Sequence, residues 1–193
     1  MKQKTNINIG GTICQNDALN NLRILSEEVK DLEGDVIEVG VYKGGSGLLL
    51  SSIFKHDTTI FLVDTFTGMP EVNEFDNVHI EGDFYDTSYE AVSELFNGKE
   101  NVNVIQDTFP SEKTEFLKNK KFKLVHLDVD IYDSYKNSLE FLHPLMVSGG
   151  VIVCDDYDAG SCLGAKKAID EFCGVNGLKI HKNADMQCFI RID

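Results

Sequence analysis

The chain has 193 residues, and its 32 Asp and Glu outweigh 18 Lys and Arg to leave a formal charge of −14. Such an acid excess repels nucleic acid and anionic membranes, so neither is expected as a partner. The length suits one domain around a single core; no apolar run is long enough to span a bilayer and the polar start reads as no signal peptide, so a cytoplasmic protein is expected.

In chain order, residues 1–14 read as loosely ordered. An amphipathic helix is expected over 17–32, with Leu19, Leu22, Leu25, Val29 and Leu32 on one face. A first strand covers 36–39, followed by a glycine-rich turn and a helix through 48–54. A second strand, 59–63, ends at Asp64. The polar stretch 65–85 is too long for an ordinary connection and is therefore a candidate binding loop. Then come a helix near 88–96, a strand at 102–105, a helix near 111–118, a strand at 123–127 and a helix at 135–145. A fifth strand at 150–154 precedes a helix at 163–172. The tail alternates polar and apolar residues over 178–182 and 187–192, as an antiparallel hairpin would. Strands alternating with helices describe a doubly wound α/β sheet. Residues 1–33 would be an N-terminal extension and helix, and 34–193 the core of a single domain.

Two strands end in acids. Val125-His126-Leu127-Asp128-Val129-Asp130 and Val151-Ile152-Val153-Cys154-Asp155-Asp156 are apolar runs that stop in carboxylates. In an open α/β sheet, ligands bind outside that carboxyl edge. Asp128, Asp155 and Asp156 would converge there if the strands were neighbours, and a hard divalent cation, Mg²⁺ first, would relieve their repulsion. The plainer alternative is that they cap strand ends or helices, the role expected of Asp130 and Asp133.

Between the first strand and its helix lies Glu38-Val39-Gly40-Val41-Tyr42-Lys43-Gly44-Gly45-Ser46. Glycines there let a ligand approach the backbone, and the following helix offers free N–H groups. This is neither the dinucleotide fingerprint nor a P-loop. An acid two residues before the first glycine suits a cofactor carrying an amino-acid ammonium. Asp64, at the next strand end, suits a ribose diol.

Of the five histidines, His126 and His143 read as structural, and His56 and His181 as solvated. His79 lies in the long loop facing the expected cleft, where a neutral imidazole could take a proton from a hydroxyl. The cysteines (14, 154, 162, 173 and 188) are odd in number with no C-x-x-C pair, so they read as reduced apolar residues and no zinc set is expected.

With these motifs in place, the chain resembles class I S-adenosylmethionine-dependent methyltransferases, and more closely the macrocin O-methyltransferase family. The motifs that carry the resemblance are 37–46, Val63-Asp64-Thr65-Phe66-Thr67-Gly68-Met69-Pro70, 127–134 and 149–157. The resemblance implies a mostly parallel seven-stranded sheet with bound S-adenosylmethionine. Glu38, Gly40, Tyr42, Gly44 and Ser46 would hold its methionine end, Asp64 and Thr65 its ribose. Asp128 would lie beside the cofactor, and Asp107 would stand where adenine contacts fall. It further implies Mg²⁺ on Asp128, Asp155 and Asp156, a base at His79, and a small-molecule hydroxyl acceptor, a natural-product sugar among the candidates. A homodimer is among the expected assemblies. The competing expectations are a metal-independent methyltransferase and a non-catalytic binding module that retains the fold.

Overall fold

The computed structural model describes residues 16–182 and 186–193; the expected loose segment 1–14, Cys14 and the hairpin tip 183–185 lie outside these. Its strands are β1 (Asp35–Val39), β2 (Ile60–Asp64), β3 (Val102–Gln106), β4 (Phe122–Leu127), β5 (Met146–Cys154), β6 (Ile180–Lys182) and β7 (Cys188–Arg191). The helices are α1 (Asn16–Val29), α2 (Gly45–Ile53), α3 (Tyr89–Leu95), α4 (Tyr132–Leu142) and α5 (Leu163–Asn176), with 3₁₀ turns at Glu112–Asn119 and His143–Leu145.

All seven strands form one sheet in the order β3-β2-β1-β4-β5-β7-β6. The first five strands run parallel; β7 lies antiparallel to β5, and β6 antiparallel to β7. The winding reverses between β1 and β4, and such a switch point is where an open sheet leaves a crevice at its carboxyl edge.

The central strands are almost wholly buried because both faces are covered. Successive residues alternate between two cores. Ile37, Val39, Val125, Leu127, Ile152 and Cys154 pack with Tyr135 and Leu139 of α4 and Ala165 and Ile169 of α5. Val36, Leu124, Val151 and Val153 pack with Leu19, Leu22, Leu25 and Val29 of α1 and Leu49 and Leu50 of α2. Among the described residues, no helix is long and apolar enough to cross a membrane.

Local chemistry explains where the elements differ from the expected boundaries. Helix α4 begins three residues early because Asp76, buried in the long 65–88 segment, accepts the Tyr132 N–H at 2.9 Å. Neither Asp130 nor Asp133 supplies that cap. The helix then gives way at His143-Pro144 to a 3₁₀ turn, since a residue before proline disfavours continued α winding. The stretch expected as a helix near 111–118 is also 3₁₀. Ser111 and Thr114 cap one another's backbones there, and the three-residue repeat puts the buried Thr114 and Leu117 on one face.

Candidate functional site

One cleft lies along the carboxyl edge of β1, β2, β3 and β4. It encloses about 820 Å³, its open mouth included. Its floor is main chain. The ladder runs one rung past each strand: Gly40 N–H donates to Val63 at 3.0 Å, Asp107 to Asp64 at 2.9 Å and Asp128 to Val39 at 3.0 Å. Gly40 has φ 86°, and a Cβ there would sit 1.8 Å from the Asp128 carbonyl oxygen. The glycine is therefore demanded first by backbone packing beneath the cleft.

The turn after Gly40 is organised by Asp64. Its Oδ2 accepts the N–H groups of Val41 (2.7 Å) and Tyr42 (2.8 Å), while Oδ1 accepts that of Phe66 at 2.7 Å. These bonds fix Tyr42 at φ 51°, an uncommon conformation for an aromatic residue. Tyr42 and Lys43 reach across to the Asp86 carboxylate at 2.8 and 2.6 Å, clasping the turn to the 65–88 segment. Asp107 accepts from the Thr108 N–H and the Ser111 hydroxyl, so its carboxylate also closes a turn.

Gly40, Tyr42, Asp64, Thr65, Asp107 and Asp128 line the cleft, with Met69, Phe84 and Phe109 among its apolar walls. Glu38, Gly44 and Ser46 do not. Gly44 is the left-handed N-cap of α2, and Ser46 is buried in its first turn. Glu38 is fully buried beneath the edge. Its Oε1 is hydrogen-bonded to His126 Nδ1 at 2.8 Å, and its Oε2 has no partner among the described residues. A Cβ on Gly47 would lie 3.1 Å from that oxygen, so the absent side chain leaves Oε2 room at the start of α2.

His126 is more than a packed strand residue. Glu38 pairs directly with it across β1 and β4, and its Nε2 meets Asp155 Oδ1 at 3.0 Å. Burial alone would lower its pKa, but the charges and hydrogen bonds of Asp155 and Glu38 outweigh that and hold it well above the usual value. Gln187 also donates to Asp155 Oδ1, at 2.5 Å.

The acids separate accordingly. Asp155 follows Val153 on the α1/α2 face and turns to His126 and Gln187. Asp156 follows Cys154 on the other face, where Oδ2 accepts from the Tyr135 hydroxyl (2.7 Å) and the Asp130 N–H (3.0 Å). The trio whose carboxylate oxygens all lie within 4.8 Å of one another is Asp128, Asp130 and Asp156, while Asp155, expected among them, is near enough for its charge to act on both Asp128 and Asp156. Burial, reinforced by the neighbouring acids, pushes Asp128 and Asp130 well up. Burial and the Asp155 charge push Asp156 to about 6. Three crowded carboxylates with raised pKa values form a donor set that fits a hard cation.

His79 reaches this edge from the 65–88 segment. Its Nδ1 lies 3.4 Å from Asp83 Oδ2, and its Nε2 lies 3.4 Å from Cys162 Sγ and 3.9 Å from Asp130 Oδ1. Cys162 is the N-cap of α5, and burial pushes its thiol pKa up. Sequence reasoning missed Asp130 and Asp83 at the edge. The alternation of a strand, applied past Cys154, would have separated Asp155 from Asp156.

The cleft can be set beside known proteins. The chain is 29% identical over 175 residues to demethyldecarbamoylnovobiocin O-methyltransferase of Streptomyces niveus, covering 80% of this chain and 64% of that one. It is 27% identical over 183 residues to mycinamicin III 3''-O-methyltransferase of Micromonospora griseorubida, covering 83% and 69%. The chain thus spans roughly two-thirds of the length of these curated relatives. Among solved structures, the O-methyltransferase NovP superposes with a TM-score of 0.81 at 25% identity over 94% of this chain and 82% of that one. The calicheamicin methyltransferase CalS11 shares the fold, with a TM-score of 0.78 at 19% identity over 90% and 77%. The profile of the Macrocin-O-methyltransferase (TylF) family matches residues 5–189, and the chain belongs to that family.

Proposed function

We propose that the chain is an S-adenosylmethionine- and Mg²⁺-dependent O-methyltransferase acting on a hydroxyl of a small molecule, a natural-product sugar being the first candidate. The observation that carries this reading is the meeting, along one cleft, of the Asp64-clamped turn with Asp128 and Asp130, whose carboxylates Asp156 joins within 4.8 Å. Family membership and the relatives named as O-methyltransferases support it.

S-adenosylmethionine, when bound, supplies an electrophilic methyl on a sulfonium whose departure needs no acid. The unpartnered Glu38 Oε2 is an acceptor suited to its ammonium, and buried acceptors left unpaired are costly. Gly40 and the turn held by Asp64 would carry its methionine and ribose portions. Met69, Phe84 and Phe109 would exclude water from the transferring methyl.

Mg²⁺, when bound, would lower the pKa of an acceptor hydroxyl by Lewis-acid polarisation. Asp128, Asp130 and Asp156 would hold it. Asp155, held by His126 and Gln187, would add its negative charge beside them. His79 would take the acceptor proton on Nε2, with Asp83 beside Nδ1 setting the ring's orientation. Positioning supplies much of the remaining acceleration.

A metal-independent transferase is the second reading. It is favoured by the hydrogen bonds that already engage Asp155 and Asp156 with His126, Gln187 and Tyr135. Radiolabelled methyl transfer from S-adenosylmethionine to a panel of glycosylated natural products, with Mg²⁺ and with excess EDTA, tests both. Transfer abolished by EDTA supports the first reading; full transfer in EDTA supports the second. S-adenosylhomocysteine failing to bind would reject both.

A further inference from the structure

We propose that His79, Cys162 and Asp130 form a second metal site, selective for a thiophilic divalent ion of the Zn²⁺ class and sharing only Asp130 with the all-oxygen cluster. The three donors come from three separate stretches: the 65–88 segment, the N-cap of α5 and the turn after β4. His79 Nε2 and Cys162 Sγ are 3.4 Å apart, Cys162 Sγ and Asp130 Oδ1 3.5 Å, and His79 Nε2 and Asp130 Oδ1 3.9 Å. Tetrahedral Zn²⁺ with bonds of about 2.0–2.3 Å requires ligand-to-ligand separations of about 3.3–3.6 Å. Small side-chain rotations therefore bring all three donors into range.

The surroundings are those of a prepared site. Asp83 Oδ2 stands 3.4 Å from His79 Nδ1 and also accepts the Ile80 N–H, so the histidine carries the carboxylate partner typical of metal ligands. Asp130 is held at φ 59° by its N–H bond to Asp156, which fixes the backbone that carries its carboxylate. Cys162 is 3% exposed, out of reach of bulk oxidants.

Hydrogen bonding alone accounts less well for the cluster. A thiol is a weak donor and a weak acceptor, whereas a mixed N, S and O set discriminates strongly among ions. Mg²⁺ has little affinity for sulfur and would be disfavoured. On binding, the S–H bond breaks, the sulfur forms a bond to the ion, and the proton leaves to solvent. Three protein ligands leave a fourth position for water or a bound molecule. An ion there would tie the 65–88 segment to α5 and, if His79 is the base proposed above, would occupy Nε2 and arrest turnover.

Co²⁺ titration of the reduced, chelator-stripped full chain tests the site without any methyl-transfer assay. The expected result is a thiolate-to-cobalt charge-transfer band with four-coordinate visible bands, persisting in excess Mg²⁺ and removed by Zn²⁺. Cys162→Ser and His79→Gln should each abolish the thiolate band. Asp83→Asn should weaken binding about 10–100-fold, and Asp128→Asn should leave the band intact. Should Cys162→Ser fail to fold, His79→Gln on the loop decides alone. Absence of the band, its survival in His79→Gln, or its loss in Asp128→Asn would overturn the proposal, whether or not the protein transfers methyl groups.

Discussion

Asp155 and Asp156 are consecutive, yet their carboxylates leave the end of β5 on opposite faces of the sheet. One meets His126 at 3.0 Å and the other the Tyr135 hydroxyl at 2.7 Å. The two acids should therefore respond differently to substitution. Asp156→Ala would take the acceptor from the Asp130 N–H, at a cost of about 1–3 kcal/mol for an unsatisfied group, while the Tyr135 hydroxyl keeps the Leu127 carbonyl. Asp156→Asn keeps an acceptor and removes a charge from a crowded edge. Chemical denaturation should rank Asn above Ala, with Asn at or above wild type.

The crowding also sets a pH dependence. Asp156 titrates at about 6 in the folded chain against 3.8 unfolded, so between those values the folded state holds the extra proton and stability falls as pH rises. His126, raised above 6.5, acts in the same direction: its contribution is complete below 6.5 and is lost as pH climbs through its folded value. In the absence of divalent ions, Tm should be higher at pH 5 than at pH 8. Added Mg²⁺ should raise Tm more at pH 8. A Tm that rises with pH over this range would contradict the assignment.

His126→Leu would leave the Glu38 and Asp155 carboxylates beside an apolar side chain. Breaking a buried ion pair by removing one partner costs about 3–5 kcal/mol. Urea unfolding should register that loss, and a variant as stable as wild type would show that the pair carries no charge.

Gly40→Ala should be far more damaging than Gly98→Ala, although both glycines have positive φ (86° and 81°). The first Cβ meets a carbonyl oxygen at 1.8 Å, whereas the second meets nothing within 4 Å. The second substitution should cost only the left-handed penalty of about 1–2 kcal/mol. Paired thermal melts decide the matter, and equal losses would refute the packing argument.

His79→Gln should lower the methyl-transfer rate by about 10²–10⁴, the usual contribution of a positioned base. S-adenosylhomocysteine affinity, read by calorimetry, should be unchanged. Asp64→Ala should do the reverse, weakening S-adenosylhomocysteine by about 1–3 kcal/mol as three backbone N–H groups lose their acceptor.

Most of the fold was legible because each central strand is a short apolar run punctuated by glycine or acid, and the hairpin alternates with period two. The strand order and the three N–H groups gathered by Asp64 did not follow from that pattern; the sequence placed Asp64 only at a strand end facing a ribose. Nor did the exact acid trio, because which carboxylate enters a cleft depends on the strand face and on partners far away in sequence. His126 read as structural since its neighbours are apolar in sequence; its acids, Glu38 and Asp155, arrive from other strands. The capping of α4 by Asp76 and the meeting of His79 with Cys162 are likewise products of tertiary packing, 56 and 83 positions apart in the chain.

The ladder that continues one rung beyond the strands makes the base of the cleft depend on few side chains, chiefly the absent one at Gly40 and the carboxylate of Asp64. Substitutions in the 65–88 segment can therefore remodel the walls while the floor keeps its shape. Such changes are bounded by Asp76 and Asp86, through which the segment holds the start of α4 and the turn after β1. A stretch grafted from a relative would have to bring both carboxylates with it for the scaffold to stand as it does.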